Sequence, residues 1–233
     1  MDVGVTRDGV VVIHHDRRLN PDVARGPDGK WVSAPAPTIF SLTYQELQTY
    51  DVGRIRPGSE YARRFAHQKP IDGTRIPRLA DLFAIASKVR FNIETKLVPD
   101  APNETLAPEP FARALIAEVK KAGAEARTTI QSFDFRTLAI VQREAPQIQT
   151  AYLTEGKKGP AIPQLVHDSG GAIWSPNFKD VDAQTLGRAR QLGVKVVVWT
   201  VNEPADIRRV LEMKVDGIIS DYPDRVNEEL KRR

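Results

Sequence analysis

Short β-branched runs alternate with amphipathic helical patterns along most of the chain, and this rhythm constrains the fold more than any other feature. The runs are VVVIHH (10–15), RFNIETK (90–96), TTIQSF (128–133), IQTAYL (148–153), GAIWS (171–175), VKVVVWTV (194–201) and DGIIS (216–220). Between them lie PRLADLFAIASKV, PEPFARALIAEVKKAG, DFRTLAIVQREAP, PQLVHDSG, DAQTLGRARQLG and PADIRRVLEMK. Several of these carry apolar residues at i, i+3, i+4 spacing, such as Leu79, Leu82, Phe83 and Ala86. Strand–helix alternation with nearly all-apolar strands implies a parallel sheet covered by helices. An open doubly wound sheet and a closed (β/α)8 TIM barrel both satisfy that pattern. No GxGxxG follows any run, which disfavours the dinucleotide-binding version of the open sheet. Polar residues recur instead at the C-terminal ends of the runs: Glu94 and Lys96, Gln131 and Ser132, Ser175, Thr200 and Asn202, Asp221. A barrel gathers those ends around one mouth, where its active site is built. The expectation is an α/β barrel, with residues 1–233 as one domain.

One segment breaks the rhythm. Roughly sixty residues separate His15 from Ile76, far more than a usual βα loop. This stretch, 17–75, is rich in Pro, Gly and Arg and reads as an insertion or lid; a disordered excursion is the rival reading for residues 20–38. Its one helical pattern is TYQELQTY, with Thr43 and Glu46 at capping-box spacing.

Composition removes several functions. The chain of 233 residues has no Cys, so disulfides, thiolate nucleophiles and Cys-based zinc sites are excluded together. The formal net charge is +4, and its Arg and Lys residues are scattered except for Lys231-Arg232-Arg233. No basic stripe interleaved with aromatics is present, so nucleic acid is not an expected partner. No apolar stretch approaches the roughly 20 residues needed to cross a bilayer. Stable membrane insertion is not expected either, and a soluble protein of periplasm or cytoplasm fits, with the compartment left open.

The candidate chemistry lies in two runs. Alternation along FNIETK puts Asn92, Glu94 and Lys96 on one strand face and Phe91, Ile93 and Thr95 on the other. A strand carboxylate must be paired or bind a cation. Glu94 and Lys96 therefore read either as a mutually neutralising pair or as a hard-cation ligand beside a phosphate-binding ammonium. In VVVIHHD, His15 shares a face with Val11 and Ile13 while His14 shares one with Val12, so one His can point into a site. His15 suits general acid/base work because imidazole titrates near neutrality, and Asp16 is placed to hold the ring or the loop. TRDG reads as a tight turn between two extended arms, which brings Asp2 near His15. Trp199, at the end of VKVVVWTV, is a core residue or the wall of a substrate pocket.

These residues carry a resemblance. DVGVTRDGVVVIHHD resembles the E-x-D-V-x-x-T-x-D-G-x-x-V-x-x-H-D segment of the glycerophosphodiester phosphodiesterase family. FNIETK resembles its N-I-E-x-K strand, IPRLADLFA the I-P-x-L-x-E-x-L helix start before it, and IQSFD, VVVWTVN and VDGIISDYPD its later motifs in the same order. The similarity runs from Asp2 to the C-terminus. It implies a phosphodiesterase-type TIM barrel hydrolysing glycerophosphodiesters, such as glycerophosphocholine, to glycerol 3-phosphate and an alcohol. It further implies Asp2 and Glu94 as ligands of a divalent cation, Ca²⁺ or Mg²⁺, His15 as a catalytic residue, Lys96 near the phosphate and Trp199 at the pocket wall.

The family's pattern begins earlier, with an H-R-G strand, a P-E-N-T helix start and a Glu before the position of Asp2. The resemblance thus implies an N-terminally truncated barrel lacking its first strand, its first helix and most of its second strand. Such a chain should have impaired activity and two exposed parallel edges, which invite aggregation. Two alternatives accompany the leading reading: a phospholipase-type phosphodiesterase acting on a lipid, and a non-catalytic paralogue that binds phosphorylated polyols. The oligomeric state is not legible.

Overall fold

The computed structural model describes residues 1–86, 88–97, 101 and 103–232. The chain starts with a hairpin, β1 (Asp2–Val5) and β2 (Val11–Ile13), and the long segment follows with short helices α1 (Tyr44–Leu47) and α2 (Glu60–Arg64). After α3 (Leu79–Ile85), strands and helices alternate: β3 (Phe91–Thr95), α4 (Pro108–Lys121), β4 (Thr128–Ser132), α5 (Phe135–Glu144), β5 (Gln149–Thr154) and α6 (Ala161–Asp168). The series ends with β6 (Ile173–Pro176), α7 (Ala183–Gln191), β7 (Lys195–Val198), α8 (Pro204–Glu212), β8 (Gly217–Ile218) and α9 (Pro223–Lys231). Each run expected as a strand overlaps one, most of them shorter than the run, while β5 and β6 extend one residue beyond theirs.

The eight strands form one sheet in the order β2-β1-β3-β4-β5-β6-β7-β8. Every neighbouring pair is parallel except β1–β2, which is antiparallel. This is an incomplete (β/α)8 barrel: among the described residues no pairing joins β8 to β1 or β2. The sheet nonetheless curls, because Met1 and Asp2 from one end and Ile219, Ser220 and Asp221 from the other line the same cavity.

The outward side chains pack under the helices. Phe91 and Ile93 of β3, Ile130 of β4 and Val196 and Val198 of β7 join Phe111, Leu115, Leu138, Leu186 and Ile207 in the main core. Polar groups in that layer are paired. Trp174 is fully buried and its Nε1 donates to Thr154 Oγ1 at 2.9 Å. Thr95 Oγ1 donates to Ser132 Oγ at 2.9 Å, and Ser132 Oγ accepts from the Asp134 amide at 3.0 Å. Such pairing removes the cost of burying hydroxyls. Gly171 permits a close approach here: a Cβ on it would lie 2.5 Å from the Tyr152 ring.

The edges differ from the expectation. Four residues of the strand expected to be mostly missing are present as β1, and β2 covers its outer edge through Val3–Ile13, Gly4–Val12 and Val5–Val11. The edge of β2 is covered in turn, since the Ile13 amide donates to Pro77 O at 2.9 Å. The strand at the other end, β8, has only two residues, which limits its use as a pairing template.

Residues 17–75 are packed, including 20–38. Leu19, Ala24, Ile39, Leu47 and Ile76 are buried around Val12 in a second small core. The expected capping box forms: the Glu46 amide donates to Thr43 Oγ1 at 3.2 Å and the Thr43 amide to Glu46 Oε2 at 2.7 Å. The TRDG turn also forms, closed by the Gly9 amide donating to Thr6 O at 3.0 Å, with Gly9 at φ 85° where a side chain would be strained. Tyr44 N donates to Asp8 Oδ1 at 2.9 Å, so the hairpin turn anchors the start of α1.

Candidate active site

Asp2 and Glu94 are direct register partners on the parallel pair β1–β3, so alternation places both carboxylates on one face of the sheet. Lys96 lies two residues beyond Glu94 on that face. Its Nζ is 2.8 Å from Glu94 Oε1 and 3.3 Å from Asp2 Oδ1. Glu94 is 7% exposed. Burial pushes its carboxyl up to about 7 against the pull of Lys96, and the adjacent Asp2 carboxylate adds to the rise. Burial works against the Lys96 ammonium, but Glu94 and Asp2 outweigh it and raise its pKa. The neutralising pair considered from sequence is therefore present, with Asp2 as its third member.

The hairpin brings His15 to the same place. The His14 amide donates to Asp2 O at 3.0 Å, which fixes the register of the two arms just before His15. His15 Nδ1 lies 2.7 Å from Asp16 Oδ1, leaving Nε2 as the nitrogen free to exchange a proton. That contact raises the His15 pKa, opposed by burial and by Lys96. Asp16 is itself held by Asn20 Nδ2 at 3.0 Å. His14 takes the other role: its Nδ1 meets the Asp16 carbonyl at 2.7 Å, and burial lowers its pKa.

A cavity of about 720 Å³ opens at the C-terminal ends of the strands, lined by all five expected site residues, Asp2, His15, Glu94, Lys96 and Trp199. Trp199 Nε1 donates to Ser175 O at 2.8 Å, and its ring meets Phe133 edge-on with centroids 5.6 Å apart. Of the other polar strand-end residues, Gln131, Thr200 and Asp221 line the mouth. Ser132 turns outward to Thr95, Ser175 Oγ donates to Val197 O at 2.9 Å, and Asn202 Nδ2 donates to Asp221 Oδ2 at 2.9 Å.

Other lining residues were not singled out from sequence. Asn20, Tyr61, Arg64 and Phe65 reach the mouth from segment 17–75, and Arg64 Nη2 comes within 3.8 Å of Asp221 Oδ2. No local pattern marks them, because their position depends on how the long segment packs. Phe133 had a visible signal, an aromatic just past a strand end, and is 43% exposed.

Asp2 and Glu94 offer two hard oxygen ligands side by side. Among the described residues no group of three or more His, Cys, Asp or Glu side chains is placed to hold a metal ion. Two carboxylates suit the mode in which Mg²⁺ is held by one or two carboxylates, with water and substrate oxygens completing the shell. Among the described residues no helix is long and apolar enough to cross a membrane.

Comparison with known proteins identifies the family and the fold. The Caldanaerobacter subterraneus subsp. tengcongensis glycerophosphodiester phosphodiesterase is 27% identical over 96% of this chain and 82% of its own length. A solved structure from Silicibacter pomeroyi DSS-3, provisionally named a glycerophosphoryl diester phosphodiesterase, matches 99% of this chain and 82% of its own at 34% identity and TM-score 0.91. The fold is shared with an Oleispira antarctica phosphodiesterase solved with the product sn-glycerol-3-phosphate, at 20% identity and TM-score 0.78 over 99% of this chain and 83% of that one. The family model for glycerophosphoryl diester phosphodiesterases matches residues 1–225, and the chain belongs to that family.

Proposed function

We propose that the chain hydrolyses glycerophosphodiesters to glycerol 3-phosphate and an alcohol, with a divalent cation, Mg²⁺ or Ca²⁺, held by Asp2 and Glu94. The observation that carries this reading is the register match of Asp2 with Glu94, which sets two carboxylates beside Lys96 and His15 in one cavity.

In the net reaction one water is consumed: an oxygen–phosphorus bond forms from its oxygen, the bond from phosphorus to the alcohol oxygen breaks, and its two protons end on the released alcohol and on the phosphomonoester or solvent. Asp2 and Glu94 would hold the cation, which would supply Lewis-acid stabilisation of developing negative charge. Lys96, beside both carboxylates, offers a positive charge to a non-bridging phosphate oxygen. His15, protonated at Nε2 and held at Nδ1 by Asp16, gives its proton to the departing alcohol oxygen. Trp199 and Phe133, packed edge to face, form one wall of the cavity. Among the described residues His15, with Asp16 beside it, is the imidazole that lines the mouth.

The test follows glycerol 3-phosphate release from glycerophosphocholine and glycerophosphoglycerol with Mg²⁺, with Ca²⁺ and with EDTA. Cation-dependent release that Glu94→Ala abolishes is the expected result. Binding without release, unaffected by EDTA, would move the assignment to a polyol-phosphate binding protein.

A further inference from the structure

The main cavity has a neighbour of about 420 Å³ that shares His15, Asp16, Glu94, Lys96 and Phe133 with it and then diverges toward Arg17, Arg18, Leu97 and Glu104. A phosphodiester has two arms on one phosphate. Two cavities that meet at the proposed phosphate position offer one compartment to each arm.

The arginines of the smaller compartment are short of partners: Lys96 is held by Glu94 and Asp2 and His15 by Asp16, whereas Arg17 and Arg18 both pair with the one carboxylate of Glu104. The two arginines are also engaged differently. Arg18 is spent on structure: Nη1 donates to Ala36 O at 2.7 Å, and Nε and Nη2 donate to Glu104 Oε1 at 3.0 and 2.7 Å.

Arg17 has donors in hand. Its Nη1 lies 2.9 Å from Glu104 Oε2 but is buried without a hydrogen bond of acceptable alignment. A buried guanidinium donor in that state costs free energy until an acceptor arrives. Its backbone is fixed meanwhile, since the Ile39 amide donates to Arg17 O at 2.8 Å. Arg17 thus lines the compartment beside the proposed phosphate position with an unsatisfied guanidinium donor, a group suited to bidentate recognition of an anion.

We propose that Arg17 selects the alcohol arm of the diester, favouring an arm that carries an anionic group over one that carries a quaternary ammonium. This rests on the proposed function for the identity of the shared phosphate site. Arg17 is a specificity residue, and Glu104 sets how much of its charge is available.

The experiment compares three diesters in Mg²⁺ buffer: glycerophosphocholine, glycerophosphoglycerol, and glycerophosphoglycerol bearing a terminal phosphomonoester. Binding is read by calorimetry and turnover separately by glycerol 3-phosphate release. The expected binding order is anionic over neutral over cationic arm, with at least about a tenfold span, the size of one charge-assisted hydrogen bond. Arg17→Gln should collapse the span while changing affinity for the neutral arm less than about threefold, and Arg17→Lys should retain part of it. Glu104→Gln should widen it, which keeps the test intact if Arg17→Gln fails to fold. An equal loss for all three diesters on Arg17→Gln, a preference for glycerophosphocholine, or no binding at all overturns the proposal. The expected order without turnover overturns the hydrolase assignment and leaves this inference standing.

Discussion

His15 and Asp16 shift each other's titration in opposite directions. Their side-chain contact is the leading cause of both the raised His15 pKa and the lowered Asp16 pKa. Raising the folded-state value keeps the imidazole protonated to higher pH, which suits a proton donor. Asp16→Asn removes the stabilising charge while burial and Lys96 still oppose protonation, so the His15 pKa should fall. An NMR titration of the ring reads this directly, and an unmoved midpoint would assign the shift elsewhere. His15→Ala should lower turnover by about 10²–10⁴ with little change in melting temperature, because its side chain is 68% exposed. These two residues were legible in the sequence because chemistry, order and alternation coincide within four positions. Arg17 was not, because its significance depends on Glu104, which lies on a different loop.

Elements carry the next set of expectations. Asp134 caps α5: its Oδ1 accepts from the Arg136 amide at 3.1 Å, and its side chain pairs with Arg136. Asp134→Ala should cost about 1 kcal/mol in a denaturant melt. Arg136 holds the Asp134 carboxyl below 3.8, so this contribution is present above pH 3.8 and is lost as pH falls through the lowered value. The difference between parent and variant should therefore shrink in acid. In the long segment, a Cβ at Gly53 would sit 1.8 Å from the Ile71 carbonyl oxygen, so Gly53→Ala must displace one chain from the other. Protease sensitivity confined to 51–75 with the barrel helices intact is the expected outcome, and global unfolding would mean that the segment is not a separable unit. Strands and long helices could be read from periodicity because each is a local pattern. The packing of 17–75 could not, since its core draws on residues as distant as Leu19 and Ile76.

At the scale of the molecule, an open sheet should not protect its strands equally. Interior strands β4 and β5 have partners on both sides over four residues each, while β8 has a partner on one side, with register pairs at Gly217 and Ile218 among the described residues. Hydrogen exchange should accordingly be slowest for amides of β4 and β5 and fastest at β8. Equal protection across the sheet would indicate that the β8 end is covered in solution. The barrel class was legible because polar residues mark strand ends, yet the treatment of the edges was not. The hairpin's two arms were legible at TRDG, but the covering of the outer edge of β1 by the second arm was not, because it also depends on the backbone at Pro77.

That second arm is a party wall. Val11 and Ile13 belong to the main core or pack against it, Val12 belongs to the core of the long segment, and the chain then runs directly into His15. Two compartments of the protein therefore lean on one three-residue partition, and the imidazole is mounted at its end. Sequence drift in the long segment is free to reshape the mouth only where it leaves pressure on Val12 unchanged.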